Sequence, residues 1–371
     1  MVENCNNMLL ILKLYTKKLE EKMNKKIMLI YSIIHFVVDF SCAILVSNVV
    51  TPKLMGSFSL FLAIIAYNFF AFAVQLPIGI LADKINKNAI CSALGCILII
   101  VAFGISKFGI IACIIAGIGN AMFHVGGGID VLNISNKKAT LSGIFVSTGA
   151  LGIFLGSNAT NINFNINYFT IFILLLSTIS LIWLYTQTKN KLNNEKVIIP
   201  NINKKELFVI VCLIITVCIR SYVGLILSFS WKSNYILALL FIFGVILGKM
   251  LGGILGDKYG FIKVSICSLG ISAILYMGAF YSSICGILAV LLFNMTMPIT
   301  LTSLANIFNN NKGLAFGLLT FALFLGAVPV LFGYTNVLFN SIGLFMITIF
   351  SAIILFMGLK GYNELMEKEN A

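Results

Sequence analysis

Charged residues are scarce in this sequence. Asp, Glu, Lys and Arg make up only 10% of its 371 residues, against roughly 25% in an ordinary soluble domain. That is too few to cover a surface facing water, and apolar residues run on through stretches such as 264–306. The strict alternation of a membrane β-barrel is also missing. The chain is therefore predicted to be all-α and embedded in lipid, because helices are the remaining way to satisfy a backbone in hydrocarbon.

Motifs for aqueous chemistry are missing as well. There is no nucleotide-binding loop of the form GxxxxGK[ST], no nucleophile motif and no zinc-ligand spacing among the nine scattered cysteines. We therefore expect no enzyme activity, no cofactor and no resident metal. The net charge of +13 does not indicate nucleic-acid binding, because the basic residues lie in loops and tails rather than on one face of a folded module.

Twelve apolar stretches are long enough to cross a bilayer core, which takes roughly 20 helical residues. They lie near 27–50, 57–82, 89–106, 108–132, 139–157, 167–186, 207–229, 234–256, 262–280, 283–306, 313–334 and 341–359. This predicts two six-helix halves, 27–186 and 207–359, joined by a cytoplasmic linker at 187–206. Cytoplasmic tails are predicted at 1–26 and 360–371.

Lysines predict the orientation. With twelve spans both termini lie on one side, and basic residues concentrate in cytoplasmic loops. If the N-terminus is cytoplasmic, only Lys53, Lys107 and Lys232 lie outside, and twenty lysines lie inside. The inside lysines are at 13, 17, 18, 22, 25, 26, 84, 87, 137, 138, 189, 191, 196, 204, 205, 258, 263, 312, 360 and 368. We expect an integral protein of a bacterial plasma (inner) membrane with both termini cytoplasmic.

The two halves repeat each other at an offset of 174 residues. Gly79-Ile-Leu-Ala-Asp83-Lys84 recurs as Gly253-Ile-Leu-Gly-Asp257-Lys258. The same offset relates Asn120 to Asn294, Lys138 to Lys312, Gly143 to Gly317 and Gly152 to Gly326. A parallel repeat of six-helix units predicts halves related by an axis along the membrane normal. It also makes Pro298 the equivalent of His124 and predicts a bend in the tenth span.

The segment Gly79-Ile-Leu-Ala-Asp83-Lys84-Ile-Asn-Lys87, in the loop after the second span, resembles the loop signature of the major facilitator superfamily, commonly written GxLaDrxGrk. Its copy follows the eighth span, where the family has its second signature. Asn86 departs from the pattern, which usually has glycine there. The resemblance implies the major facilitator fold and a loop carboxylate that caps and ion-pairs with cytoplasmic helix ends, keeping that side shut. The expected gating residues are Gly79, Asp83, Lys84, Lys87, Gly253, Asp257 and Lys258.

Further pieces are similar to the fosmidomycin-resistance-like group of exporters. They are His35-Phe-Val-Val-Asp39, Gln75-Leu-Pro77, Gly119-Asn-Ala-Met-Phe123-His124 and Arg220-Ser-Tyr-Val-Gly224. Where that group usually has proline and then an acidic residue after the histidine, this chain has Val125-Gly126-Gly127-Gly128. The resemblance implies export, and the departure leaves the substrate open.

Charges at membrane depth are costly unless they face a cavity or a partner, so each one is a functional candidate. Asp39 lies 12 residues into the first span and Arg220 lies 13 residues into the seventh, which puts both near the midplane at about 1.5 Å per residue. Arg220 is the only arginine, and its planar fork suits an anionic group. We expect Asp39 and Arg220 to face one another across a central cavity; a static ion pair is the alternative.

Two histidines accompany Asp39. His35 is spaced i,i+4 from Asp39, and His124 has the same spacing from Asn120. Histidine titrates near neutral pH, so Asp39, His35 and His124 are predicted to carry a coupling proton while Arg220 holds the substrate. The further candidates for substrate contact are Gln75, Asn120 and Asn294.

Other polar and small residues lie nearer the inner helix ends. Asp130 and Lys249 are predicted to pair with Lys84, Lys87 or loop backbone rather than with substrate. The run Gly126-Gly127-Gly128 either unwinds the fourth span or allows close helix packing, and packing is the favoured interpretation.

The predicted function is secondary active transport by alternating access, as a proton-coupled antiporter that exports small, anionic drugs or metabolites. One alternative is ion-coupled import of a small metabolite or a divalent metal, for which His35, Asp39 and His124 are possible ligands; the charge of Arg220 argues against the metal. Another is a non-transporting receptor or scaffold. The expected partners are a small-molecule substrate, protons and the bilayer, with the chain acting as a monomer.

Overall fold

Twelve apolar helices follow one another in a computed structural model of the chain, which describes residues 2–159, 166–188, 202–335 and 337–370. We number them α1 Glu21–Leu54, α2 Phe58–Ile85, α3 Asn88–Gly104, α4 Gly109–Ile134, α5 Thr140–Ser157, α6 Ile166–Thr188, α7 Lys204–Ile226, α8 Tyr235–Tyr259, α9 Phe261–Gly278, α10 Ser283–Ile307, α11 Lys312–Leu331 and α12 Ser341–Lys368. Eleven of them are long and apolar enough to cross a membrane, and α3, with 17 residues, is a shorter apolar helix. The predicted all-α membrane fold is confirmed, and no strand occurs in the described ranges. The predicted linker lies largely outside them. The chain is an integral membrane protein of all-α architecture.

Three of the helices depart from regular α geometry. A π-helical segment occupies Ile44–Val50 within α1, and another occupies Phe69–Ala73 within α2. In α10 the α-helix is interrupted at Met295. The interruption lies three residues before Pro298, in the region where the bend was predicted. Proline has no N–H to donate to the carbonyl four residues back, that of Asn294, so the break falls there.

The glycine run in α4 permits close packing, as favoured, and does not unwind the helix, which is continuous over Gly109–Ile134. A Cβ atom on Gly126 would lie 2.2 Å from the backbone oxygen of Asn88 in α3. A Cβ atom on Gly128 would lie 2.4 Å from the ring of Phe316 in α11. Any larger residue at these two positions would push a neighbouring helix away.

The two halves meet along two helix pairs, α5 with α8 and α2 with α11. Toward the ends that are predicted to be extracellular, the ring centroids of Phe154 and Tyr235 lie 5.7 Å apart, and those of Phe61 and Phe332 lie 6.0 Å apart. Toward the ends that are predicted to be cytoplasmic, the helix pairs are joined by hydrogen bonds to two aspartates, described below. The halves therefore touch both above and below the level of the buried charges.

Candidate functional site

A cluster of polar side chains from α1 and α4 lies inside the N-terminal half. His35 Nε2 is 3.2 Å from Asp39 Oδ2 and 2.9 Å from His124 Nε2. His124 Nε2 is also 3.6 Å from Asp39 Oδ1, which accepts a hydrogen bond of 3.1 Å from the Asn120 amide. Asp39 and His35 are buried. Four of the predicted site residues are thus brought together, as the i,i+4 spacings suggested.

Backbone carbonyls fix the protons of both imidazole rings. His35 Nδ1 lies 2.7 Å from the oxygen of Phe145, and His124 Nδ1 lies 2.9 Å from the oxygen of Asn120. Because a carbonyl oxygen only accepts, each Nδ1 must carry hydrogen. A neutral ring then has a bare Nε2, yet the two Nε2 atoms are within hydrogen-bond distance of each other and close to Asp39. Two neutral rings and an ionised carboxylate have no hydrogen to place between these atoms. The cluster can therefore hold one additional proton.

Helix α5 covers this cluster, a contact that the sequence did not indicate. Phe145 of α5 supplies the carbonyl for His35. One turn further along α5, a Cβ atom on Gly149 would lie 2.2 Å from Asp39 Oδ2 and 2.5 Å from His35 Nε2. Only glycine leaves room for the carboxylate and the ring at this position.

Arg220 is buried in the C-terminal half, where its Nη1 donates a hydrogen bond of 3.1 Å to Thr300 Oγ1 in α10. The repeat maps Thr300 onto Gly126, two residues from His124, which is about 3 Å along a helix axis. The guanidinium and the cluster thus have similar depths. Among the described residues, however, no carboxylate lies within ion-pair distance of Arg220. The static Asp39–Arg220 ion pair is therefore not formed; Asp39 and Arg220 each bind partners in their own half.

Lys249 of α8 makes a contact between the halves that the sequence did not indicate. It was expected to pair near the inner helix ends, but its ammonium reaches into the other half and donates a hydrogen bond of 3.1 Å to the Val146 oxygen. That carbonyl is adjacent in sequence to the one that holds His35. Both Asp39 and Arg220 act electrostatically on Lys249. Lys249 therefore forms a hydrogen bond between the halves at this level.

Asp130 does not pair with Lys84 or Lys87 as predicted. Its carboxylate accepts hydrogen bonds from the Tyr31 hydroxyl at 2.6 Å and from the Asn88 amide at 2.8 Å, and it is buried. The prediction failed because α4 turns this residue toward α1 and α3, inside the N-terminal half, rather than toward the loop lysines.

The two signature aspartates each cap a helix of the opposite half. Asp83 accepts hydrogen bonds from the amides of Gly313 at 2.8 Å and Leu314 at 2.9 Å, in the first turn of α11. A Cβ atom on Gly79 would lie 2.1 Å from the Gly313 oxygen. Since the first amides of a helix have no partner within it, a carboxylate there satisfies two donors and complements the helix dipole.

The second copy repeats this arrangement. Asp257 accepts hydrogen bonds from the amides of Ala139 at 2.8 Å and Thr140 at 2.9 Å, and from the Thr140 hydroxyl, where α5 begins. A Cβ atom on Gly253 would lie 2.5 Å from the Ala139 oxygen. The offset of 174 relates Ala139 to Gly313, so the two caps are equivalent by the internal repeat.

The lysines of the two signatures take no part in these caps. Lys84, Lys87 and Lys258 are exposed, so the ion pairing that the resemblance implied is not made by the signature aspartates among the described residues. Asp83 itself lies in the last turn of a helix rather than in a loop.

The departure at Asn86 is accommodated. Asn86 has φ +54° at the end of α2, and the equivalent Gly260 has φ +92° at the end of α8. Asparagine is one of the few side chains that tolerate the left-handed conformation of Asn86, whose ψ is +43°. Gly260 has a ψ of +144°, so the two turns have different shapes.

The other two substrate candidates bind their own helices. The Gln75 amide donates to the Ala71 oxygen, and its own buried side-chain oxygen has no hydrogen-bond partner among the described residues. The Asn294 amide donates to the Val290 oxygen at 2.8 Å, just before the break in α10. Neither contacts Arg220 or Asp39 directly.

Three solved structures of transporters have a similar architecture. The structure of the Escherichia coli fucose:proton symporter FucP superposes with a TM-score of 0.57 at 13% identity, over 90% of this chain and 98% of that one. The human organic anion transporter MFSD10 superposes with a TM-score of 0.62 at 9% identity, over 91% of this chain and 99% of that one. The chain has the major facilitator fold.

A second FucP structure, of a major facilitator superfamily transporter in the outward conformation, matches with a TM-score of 0.57 and 13% identity, over 90% of this chain and 99% of that one. The sequence matches no known family model, and no curated protein is significantly similar to it. At these identities the major facilitator fold is what the similarity establishes.

Proposed function

We propose that this chain is a secondary active transporter that works by alternating access of its two halves, couples transport to protons, and exports a small anionic drug or metabolite by antiport. The fold and the paired caps at the predicted cytoplasmic ends support alternating access, because each cap can form and break as the halves rock. Export rests on the resemblance to the fosmidomycin-resistance-like exporters. A bacterial plasma membrane location, cytoplasmic termini and a monomeric state belong to the same proposal.

Proton coupling is supported by the number of protons that the cluster of His35, Asp39 and His124 can hold. Both rings donate their Nδ1 hydrogens to carbonyls, and the remaining three contacts at 2.9 to 3.6 Å need a shared proton. A buried group of this kind can take up and release one proton without moving a helix. In the proposed cycle this is the coupling proton.

The anionic substrate class is supported by Arg220. Its charge is buried, its hydrogen-bond partner is the neutral hydroxyl of Thr300, and Lys249 adds a second positive charge nearby. A buried cation without a carboxylate partner is stabilised by an incoming anion. In the proposal Asn120, Gln75 and Asn294 supply neutral polar contacts, for which the unpaired Gln75 oxygen is suited. MFSD10 carries organic anions, which agrees with this class.

The cluster also contains the ligand types of a divalent metal, and the ligand atoms of its three members lie within 4.8 Å of one another. Two nitrogens on one tetrahedral zinc, with bonds of about 2.0 Å, would be roughly 3.3 Å apart. The observed separation of 2.9 Å is instead that of a hydrogen bond. The geometry favours a proton over a metal ion.

The test begins with a growth and uptake screen of cells with and without the gene, against phosphonate antibiotics and common toxic compounds. Compounds that the chain moves are then assayed in proteoliposomes under an imposed pH gradient. We expect Asp39→Asn to reduce gradient-driven transport to the level of empty vesicles, and Arg220→Lys to weaken it. Glu364→Gln, an exposed carboxylate-to-amide change, is the control. Transport by Asp39→Asn at the unmodified rate would remove the proton role.

Direction and charge are tested in the same vesicles. Reversing the gradient distinguishes antiport from symport, the mode of FucP, and movement of substrate with the proton would make the chain an importer. If the unmodified chain and Arg220→Lys move an uncharged compound equally well, anion recognition by Arg220 is wrong.

A further inference from the structure

Asp130 is a buried acid that the proposed function does not use. It lies on α4 with 2% of its surface exposed. Its Oδ2 accepts a hydrogen bond from Tyr31 of α1, and its Oδ1 accepts one from Asn88 of α3. Both donors are neutral, and among the described residues no lysine, arginine or histidine lies within ion-pair distance. An ionised carboxylate at this depth is costly without a cation.

The surroundings of Asp130 are otherwise apolar or neutral. From α3, Cys91 is a titratable group close enough to interact electrostatically with Asp130. From α2, Ala82 and Ile78 pack against α4 on this level, and from α11 Phe316 packs against Gly128. From α5, Phe145 faces Gly127. The charged group of α11, Lys312, directs its ammonium to the Leu132 oxygen at 3.4 Å instead.

Tyr31 allows both protonation states of Asp130 to be satisfied. When the acid is ionised, the tyrosine hydroxyl donates to Oδ2. When the acid is protonated, its O–H donates to the tyrosine oxygen, Oδ1 still accepts from Asn88, and the tyrosine hydrogen turns to the hydroxyl of Ser92. A hydroxyl is both donor and acceptor, so turning the tyrosine hydroxyl accommodates the proton without a change of backbone.

Tyr31 and Asp130 lie between the proton cluster and the predicted cytoplasmic ends of α1 and α4. Tyr31, His35 and Asp39 are spaced i, i+4, i+8 on one face of α1, so each step is about 6 Å. On α4, Asp130 is six residues beyond His124, about 9 Å, and four residues before the helix ends at Ile134. The acid thus stands between the cluster and the predicted cytoplasmic end.

We propose that Asp130, paired with Tyr31, is a second proton-holding site, through which the cluster of His35, Asp39 and His124 exchanges its proton with the cytoplasmic side. This inference rests on the proton coupling proposed above and adds the route by which the proton enters and leaves. Asp130 passes a proton and contacts no substrate in this assignment. Tyr31 positions the Asp130 carboxyl group.

Infrared difference spectroscopy of the full chain in lipid nanodiscs tests the site without a known substrate. Spectra taken at acid and alkaline pH should contain the C=O stretch of a buried protonated carboxyl group. We expect Asp130→Asn to remove this band and Tyr31→Phe to shift it, because its hydrogen-bond partner is lost. Asp39→Asn and Glu364→Gln should retain it. A spectrum that Asp130→Asn leaves unchanged would overturn the assignment.

The exchange role is tested by an acid jump in a stopped-flow instrument, with a pH dye reporting proton uptake by the nanodiscs. We expect Asp130→Asn to slow proton uptake by the remaining cluster about tenfold or more, because a positioned acid accelerates proton transfer by at least that much. Glu364→Gln should leave the rate unchanged. Unchanged uptake in Asp130→Asn would overturn the exchange role of Asp130.

The two proposals can fail separately. If Asp39→Asn abolishes pH-driven transport while Asp130→Asn has no effect in either assay, the proposed function stands and this inference fails. If Asp39→Asn transports normally, the proposed coupling itself fails.

Discussion

The cap that Asp83 forms on α11 allows a quantitative prediction of how fast the capped amides exchange with solvent. The Gly313 and Leu314 amides belong to the first turn of α11, where no carbonyl of the same helix can accept their hydrogens. Their protection from solvent exchange therefore depends on Asp83, at 2.8 and 2.9 Å. In Asp83→Asn the side chain keeps its size but has a single acceptor oxygen, and its NH₂ group faces one of the two amides.

The expected magnitude follows from the one lost bond. A hydrogen bond to a charged acceptor contributes about 1.5 to 3 kcal/mol, which corresponds to a roughly 10- to 150-fold change in an opening equilibrium. We therefore predict that exchange at Gly313 and Leu314 accelerates by about this factor in Asp83→Asn. The assay is hydrogen–deuterium exchange in nanodiscs, read by mass spectrometry over 312–316.

The control is Lys84→Gln, which changes the neighbouring charge but not the cap, since Lys84 is exposed. It should leave exchange over 312–316 unchanged. If the gate opens as a unit, Asp83→Asn should also accelerate exchange at Ala139 and Thr140, although Asp257 holds those amides. Unaltered exchange at Gly313 and Leu314 in Asp83→Asn would refute the capping argument.

Three further changes test the inner gate and the link between the halves. Asp257→Asn should accelerate exchange at residues 139–140 by a smaller factor, about three- to tenfold, because this carboxylate is half-exposed, and the same peptide assay measures it. Gly253→Val should force α8 away from α5, because a Cβ atom at this position would lie 2.5 Å from the Ala139 oxygen. We expect rapid exchange at 139–140 and loss of transport. Gly270→Ala, whose Cβ atom would meet no neighbour, should behave as the unmodified chain. Lys249→Met should reduce pH-driven transport about tenfold or more by removing one charged hydrogen bond between the halves, and normal transport would contradict its linking role.

The spans and the equivalence of the two caps could be predicted from the sequence because one-dimensional signals encode them. A run of roughly 20 apolar residues is long enough to cross a bilayer core, so each run marks a helix although it does not fix the ends of that helix. The repeat of 174 residues placed Asp83 and Asp257 at equivalent helix ends. Since the capped amides are themselves related by that offset, the structural equivalence of the two caps follows from the repeat.

The partners of Arg220, Lys249 and Asp130 could not be predicted in the same way. Depth along a helix follows from counting at about 1.5 Å per residue, and the counts put Asp39 and Arg220 at similar levels. The direction in which a side chain points depends on how each helix is rotated against its neighbours. In spans that are apolar all round, no hydrophobic stripe reports that rotation.

Helix α5 is where proton binding and movement of the halves can be coupled. Its Phe145 carbonyl holds His35 of the proton cluster, and the next carbonyl, of Val146, holds Lys249 of the opposite half. The same helix begins at the cap made by Asp257. Asp39 of the cluster attracts Lys249. A proton bound by the cluster weakens this attraction and so affects the hydrogen bond from Lys249 to the Val146 oxygen. Coupling requires one element that two sites bias together, and α5 is in contact with the proton cluster, the cross-half lysine and the gate.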